Sequence, residues 1–182
     1  MPCPDGTDQY AVVAYVQSKL GEFVEELRRE LHPPQAHLPT HITVLPPRPL
    51  RGTEAEALTM LQEKGASVAP FNVELGEVES FLPITPTVFI RVSHAGYRMR
   101  ELHDLFNRGG LQFTEALPYM PHVTVAKLES NERAEEVLRT SKARWERFEG
   151  SHSILVERLT FVRGRDHRWI DLAEIHLSAP RK

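Results

Sequence analysis

A single cysteine, Cys3, leaves the chain without a partner for an intrachain disulfide and without any mark of an oxidising compartment, so a cytoplasmic setting is expected. The apolar stretch "AVVAYV" falls far short of the roughly 20 residues that cross a bilayer as a helix, which speaks against a membrane anchor. The opening "MPCPDGTDQY" has no basic segment ahead of an apolar one, so no secretory signal is recognisable. Positive charge is not in excess either. With 22 Lys and Arg against 25 Asp and Glu the net charge is −3, which excludes nucleic-acid binding over a whole basic surface and confines any such contact to a local patch. What remains, 182 residues with 41% hydrophobic and 26% charged side chains, suits one soluble domain or a closely joined pair of lobes.

Periodicity divides the chain into alternating elements. "YAVVAYVQ" is a valine-rich run with the length of a buried strand. Leu20, Phe23, Val24, Leu27 and Leu31 then recur at helical spacing until "HPP" stops the helix. A strand beginning near His41 follows, and "PPRPLRG" is expected to break it. Thr53 and Glu56 form a capping-box pair at the head of a helix that runs to about Gly65. "FNVELGEV" and "TVFIRVS" read as strands and "YRMRELHDLFNRGG" as a helix with a glycine stop. A strand "HVTVAKL", a helix over roughly Glu132 to Phe148, and two closing strands, "SILVERLTFVR" and "RWIDLAEIHL", complete the chain. The order is one strand and then two rounds of helix, strand, helix, strand, strand, an architectural repeat with little repetition of sequence.

The two rounds share one signature. Residues 41 to 44 read "HITV" and residues 122 to 125 read "HVTV". A strand turns alternate side chains to one face, so His41 and Thr43 point together, as do His122 and Thr124, while the apolar residues between them point to the core. Two equivalent units about a pseudo-twofold axis bring these four side chains into one cleft. Two imidazoles across a cleft suit general acid–base catalysis, and two hydroxyls beside them suit the non-bridging oxygens of a phosphate. Together they point to in-line cleavage of a phosphodiester with no metal and no cofactor.

Paired H-x-T-x motifs about 80 residues apart resemble those of the 2H phosphoesterase superfamily, in particular the bacterial RNA 2′,3′-cyclic phosphodiesterases or 2′-5′ RNA ligase-like (LigT-like) proteins. Pro39 and Pro121 before the motifs, "FNVELGEVESF", "VFIRV" and "RWIDLAEIHL" extend the resemblance over nearly the whole chain. It implies an α+β fold of two pseudo-twofold-related antiparallel sheets with outer helices around a central cleft, as a single domain, 1–182, of two intertwined lobes. It implies His41 and His122 as catalytic residues, the first as acid and the second as base, with Thr43 and Thr124 binding phosphate. The implied partner is RNA with a 2′,3′-cyclic phosphate end, or a small cyclic nucleotide, opened to a 2′-phosphomonoester by a monomeric enzyme. Alternatives are a relative acting on another phosphodiester, by RNA end trimming or 2′-5′ ligation, and a non-catalytic protein that binds RNA ends.

Beyond the motifs the signals are weaker. Tyr119, just before the second motif, is a candidate for stacking on a base, whereas Tyr15 reads as core. The turn "RGRDHR" brings together Arg163, Arg165, His167 and Arg168, which offers a phosphate contact. His32, His37 and His41 recur at short spacing, but prolines interrupt the series and no metal site is expected. His103 reads as a surface or boundary residue of its helix. Alternation from His122 puts Lys127 on the opposite face of its strand, away from the chemistry.

Overall fold

The computed structural model describes residues 7–166 and 168–179; Cys3 and His167 lie outside them. The first round builds β1 (Gln9–Tyr15), α1 (Lys19–Leu31), β2 (His41–Arg48), α2 (Glu54–Ala66), β3 (Phe71–Ser80) and β4 (Thr87–His94). The second builds α3 (Gly96–Phe106), β5 (His122–Lys127), α4 (Asn131–Trp145), β6 (Ser153–Val156), β7 (Arg158–Arg165) and β8 (Arg168–His176). The helices form where the sequence places apolar residues at helical spacing. Leu20, Val24 and Leu27 of α1 are buried, and α2 opens on the expected box, with Thr53 Oγ1 accepting from the Glu56 N–H (3.2 Å) and Glu56 accepting from the Thr53 N–H (2.9 Å). Ser130 caps α4 through the Arg133 N–H at 3.2 Å.

Among the described residues all strand pairings are antiparallel, and the eight strands form one sheet in the order β6-β3-β4-β5-β2-β1-β7-β8. The two expected sheets are thus the halves of one sheet, β6-β3-β4-β5 and β2-β1-β7-β8, joined where Ile42 pairs with Val123. "SILVERLTFVR" is two strands rather than one. Val156 ends β6 at one edge of the sheet, and Arg158, one residue on, begins β7 near the other edge. In a flat sheet these strands would stand about 29 Å apart, six spacings of ~4.8 Å, which one intervening residue cannot bridge. The sheet therefore curls until its ends approach.

The halves also exchange helices: α1, from the first round, packs against β5, and α3, from the second, packs against β2. One continuous core runs beneath both motif strands, with Ile42, Val44, Val123 and Val125 all at 0% exposure. Burying side chains of this size contributes about 1.5–3 kcal/mol each, so the apolar residues of the motifs anchor the polar ones. β2 continues through Pro46 and Pro47 to Arg48, where a break was expected. Both prolines come after β2 has parted from β5, on an edge where no ladder donor is missed.

Both motif strands carry the same irregularity. Val13 and Val12 of β1 face Thr43 and Leu45, so Val44 is an extra residue in β2; Phe89 and Val88 of β4 face Thr124 and Ala126, so Val125 is extra in β5. Such a bulge inverts the alternation of every residue beyond it. Val44 and Leu45, and Val125 and Ala126, are buried as consecutive pairs.

Candidate active site

Because β2 and β5 run antiparallel through Ile42 and Val123, the register continues crosswise, with His41 opposite Thr124 and Thr43 opposite His122. Strand geometry sets the two histidine Cα atoms about 8 Å apart on the diagonal, room for one tetrahedral group between the rings. All four side chains are half-buried, and among the described residues neither threonine hydroxyl has a protein partner. The four residues paired from the sequence are brought together as expected.

The imidazoles are held alike. His41 Nδ1 lies 2.8 Å from the Pro39 carbonyl and His122 Nδ1 lies 2.8 Å from the Met120 carbonyl. A carbonyl only accepts, so each Nδ1 carries the proton and each neutral ring turns a bare Nε2 lone pair to the cleft. The ring bodies are enclosed by protein although their outer edges reach solvent. Burial therefore lowers the His41 pKa to about 4, with Arg28, Lys127 and His122 adding repulsion against the Pro39 carbonyl. The His122 pKa is lowered by burial first and by Lys127 next, against the Met120 carbonyl.

Lys127 corrects the reading by alternation. Counting from His122 puts it on the far face, but the bulge at Val125 restores it to the cleft face, from where its charge reaches both histidines. Its own pKa is lowered by desolvation. The position equivalent to Lys127 in the first motif strand is Pro46, so this cation belongs to the second half alone. A bulge leaves a weak trace in sequence, here two small apolar residues in succession, Val125 and Ala126, where strict alternation has one.

A family model described as the 2′-5′ RNA ligase superfamily matches residues 16–168. The chain belongs to that superfamily, the 2H phosphoesterases. Among proteins of similar sequence, a Bacillus pumilus protein named "Putative phosphoesterase" is 28% identical over 137 residues, covering 75% of this chain and 80% of the relative. A similarly named Bacillus licheniformis protein is 25% identical over 151 residues, covering 82% of this chain and 86% of the relative. In fold, the crystal structure of E. coli LigT complexed with 3′-AMP superposes with a TM-score of 0.63 at 16% identity, over 94% of this chain and 99% of that one.

Other residues of this 2H phosphoesterase stand where sequence did not put them. Arg28 of α1, 3% exposed, donates to the Thr124 carbonyl from Nη2 (2.6 Å) and Nε (3.2 Å) and to the Leu38 carbonyl from Nη1 (2.7 Å), tying the approach to the first motif to the strand of the second. A charged residue among the apolar positions of a helix was its only signal. Tyr119, expected to face a base, donates its hydroxyl to the Thr43 carbonyl (2.8 Å) and lies flat on His103, with ring centres 4.3 Å apart. His103 is no surface residue: it is 4% exposed, and Glu115 beside its Nε2 also pairs with the fully buried Arg48. Tyr15, expected in the core, is half-buried on the cleft face, edge-on to His41.

The basic turn is directed elsewhere. Arg163 is paired across the ladder with Tyr10, a core residue, and so lies on the helix-bearing face, where it donates to Glu54 at 2.7 Å. Arg165 is bound by Asp8 at 2.7 Å. Arg168 faces Arg165 at the end of the β7–β8 hairpin, exposed and far along the ladder from the level of Thr43. Among the described residues, no helix is long and apolar enough to cross a membrane.

Proposed function

We propose that this protein hydrolyses 2′,3′-cyclic phosphates of RNA ends or nucleotides to 2′-phosphomonoesters by acid–base catalysis at His41 and His122. The observation that carries this reading is the matched pair of imidazoles on adjoining strands, each with Nδ1 committed to a backbone carbonyl, which leaves Nε2 as the nitrogen for proton transfer. One Nε2 takes a proton from the attacking water while the other, protonated, gives its proton to the departing ribose oxygen. Thr43 and Thr124 donate to the non-bridging oxygens, and Lys127 offsets the charge that develops on them.

The proton inventory needs one neutral and one protonated ring, whereas burial holds both neutral in the free protein near pH 7. A bound phosphodiester resolves this. Its negative charge between the rings favours an imidazolium, raising the pKa of whichever ring faces the leaving oxygen. The substrate thus assists in protonating its own acid. Incubation with an oligonucleotide ending in a 2′,3′-cyclic phosphate, followed by product analysis, tests the reading. A 2′-phosphate end is the expected product; an unopened ring with tight binding would establish an end-binding protein instead.

A further inference from the structure

The two halves present the same His and Thr in unlike surroundings. The cross-strand neighbour of His41 is Tyr15, whose hydroxyl donates to Asp171 at 2.7 Å. Beside it opens a hollow of about 770 Å³ whose wall includes Glu22, Glu25, Asp171 and Glu174. The neighbour of His122 in the same relation is Arg91, exposed and, among the described residues, held only by Glu79 at 3.4 Å. One ladder step further, where the first half has Val13 opposite Thr43, the second has Phe89 opposite Thr124. Phe81 stacks on Phe89 (4.2 Å, 27°), stands edge-on to His122 (5.3 Å, 84°) and remains half-exposed.

An acidic wall repels the phosphates of a nucleic acid; an exposed arginine and a half-exposed aromatic ring receive a phosphate and a base. Ion pairs as exposed as Arg91–Glu79 are weak, so Arg91 exchanges Glu79 for a phosphate at little cost. Aromatic side chains accept any base on their faces. We propose that Phe81 and Arg91 form a nucleotide subsite: the base of the terminal nucleoside stacks on Phe81, and Arg91 pairs with the phosphate on its 5′ side. An RNA chain then leaves the cleft past Phe81 and Arg91 and avoids the acidic hollow beside His41. This rests on the reaction proposed above and adds to it the direction of the chain and a preference for oligonucleotides.

Equilibrium binding of a short oligoribonucleotide with a 3′-phosphate end, and of a 3′-mononucleotide, tests the subsite without turnover. Phe81→Leu, which keeps an apolar side chain against Phe89, should weaken both ligands about tenfold. Arg91→Gln should weaken the oligonucleotide more than the mononucleotide and make its salt dependence shallower by about 0.7 in log Kd against log salt. Thermal unfolding checks that both variants are folded, and Arg91→Gln, at an exposed position, does not threaten the core. Binding unchanged in both variants overturns the subsite, as does an equal loss of both ligands on Arg91→Gln, which would move Arg91 to the reacting phosphate. Hydrolysis of the cyclic phosphate by the unaltered protein is scored separately. A protein that opens the ring while its variants bind normally sinks the subsite alone; one whose binding follows these expectations without opening the ring sinks the reaction alone.

Discussion

The two motif strands are near-duplicates in what faces the cleft and opposites in what stands behind it. Each histidine gives Nδ1–H to the carbonyl two residues earlier at 2.8 Å, and each strand bulges after its threonine. Behind them, the carbonyl of Thr124 is held by the guanidinium of Arg28, and that of Thr43 by the phenol of Tyr119 resting on His103. Arg28 and His103 occupy the same place in their helices: Val24, Leu27 and Arg28 are buried in α1 as Met99, Leu102 and His103 are in α3. Duplicated geometry thus coexists with unequal electrostatics. Arg28 lowers the proton affinity of His41, and Lys127 that of both rings. The equal halves supply matched contacts, and the unequal ones give the two rings unlike electrostatic surroundings.

The comparison breaks most visibly at the histidines. His41→Ala and His122→Ala should each lower kcat by about 10²- to 10⁴-fold with the fold intact, and the double variant should lose far less than the product of the two because they act as a unit. A folded variant of either kind that turns over cyclic nucleotide at the original rate would end the two-histidine mechanism. Next in size come the threonines. Val matches Thr in shape and suits a strand, so Thr43→Val or Thr124→Val should cost about 10- to 10³-fold in kcat through the missing hydroxyl, whereas Thr→Ser should be mild. If Val and Ser variants lose equally, the methyl group and its packing carry the role.

The motifs were legible because their signal is short-range: one strand, period two, a polar pair on one face. The capping box of α2 was legible for the same reason. Lys127 was misread because one extra residue reverses the faces, and a bulge is fixed by cross-strand register, to which local alternation is blind. Arg48, fully buried and bonded to Asn107, Glu115 and the Leu111 carbonyl, and Arg28, beneath Thr124, gave no local sign of their partners, which lie 59 or more residues away apart from the nearby Leu38 and Pro46 carbonyls. The basic turn misled in the opposite way. Its charge was plain in sequence, but Glu54 and Asp8, brought to it by the fold, engage Arg163 and Arg165.

Lys127 sharpens the comparison, since the first half has Pro46 in its place. Lys127→Gln should lower kcat/KM about tenfold, less than a threonine hydroxyl aimed directly at the phosphate. Its signature is in the pH profile. With the His41 pKa lowered to about 4 and that of His122 lowered from its ordinary value, kcat/KM of the free enzyme should peak below pH 6.5. Removing a cation that depresses both groups raises both, so the whole profile should move to higher pH. A reduced rate with an unmoved profile would mean that Lys127 binds substrate without sensing the histidines.

The smallest expected effects on rate separate the two supports. Arg28→Met strips charged donors from the Thr124 and Leu38 carbonyls, and hydrogen bonds to charged groups contribute about 1.5–3 kcal/mol each. Against this, Met fills the space and removes a buried charge, so a net loss of about 2–4 kcal/mol is expected, read as a shift in denaturant midpoint at unchanged slope. Tyr119→Phe removes one neutral hydrogen bond to the Thr43 carbonyl and keeps the stack on His103, so the loss should be about 1 kcal/mol with turnover changed only a few-fold. The titration of His41 tells the supports apart. Arg28→Met should raise its pKa because a nearby cation is gone, whereas Tyr119→Phe should leave it in place, since a neutral phenol contributes no charge. If both variants shift His41 alike, the motif strand has moved in each, and the difference between the halves is one of backbone position rather than of charge.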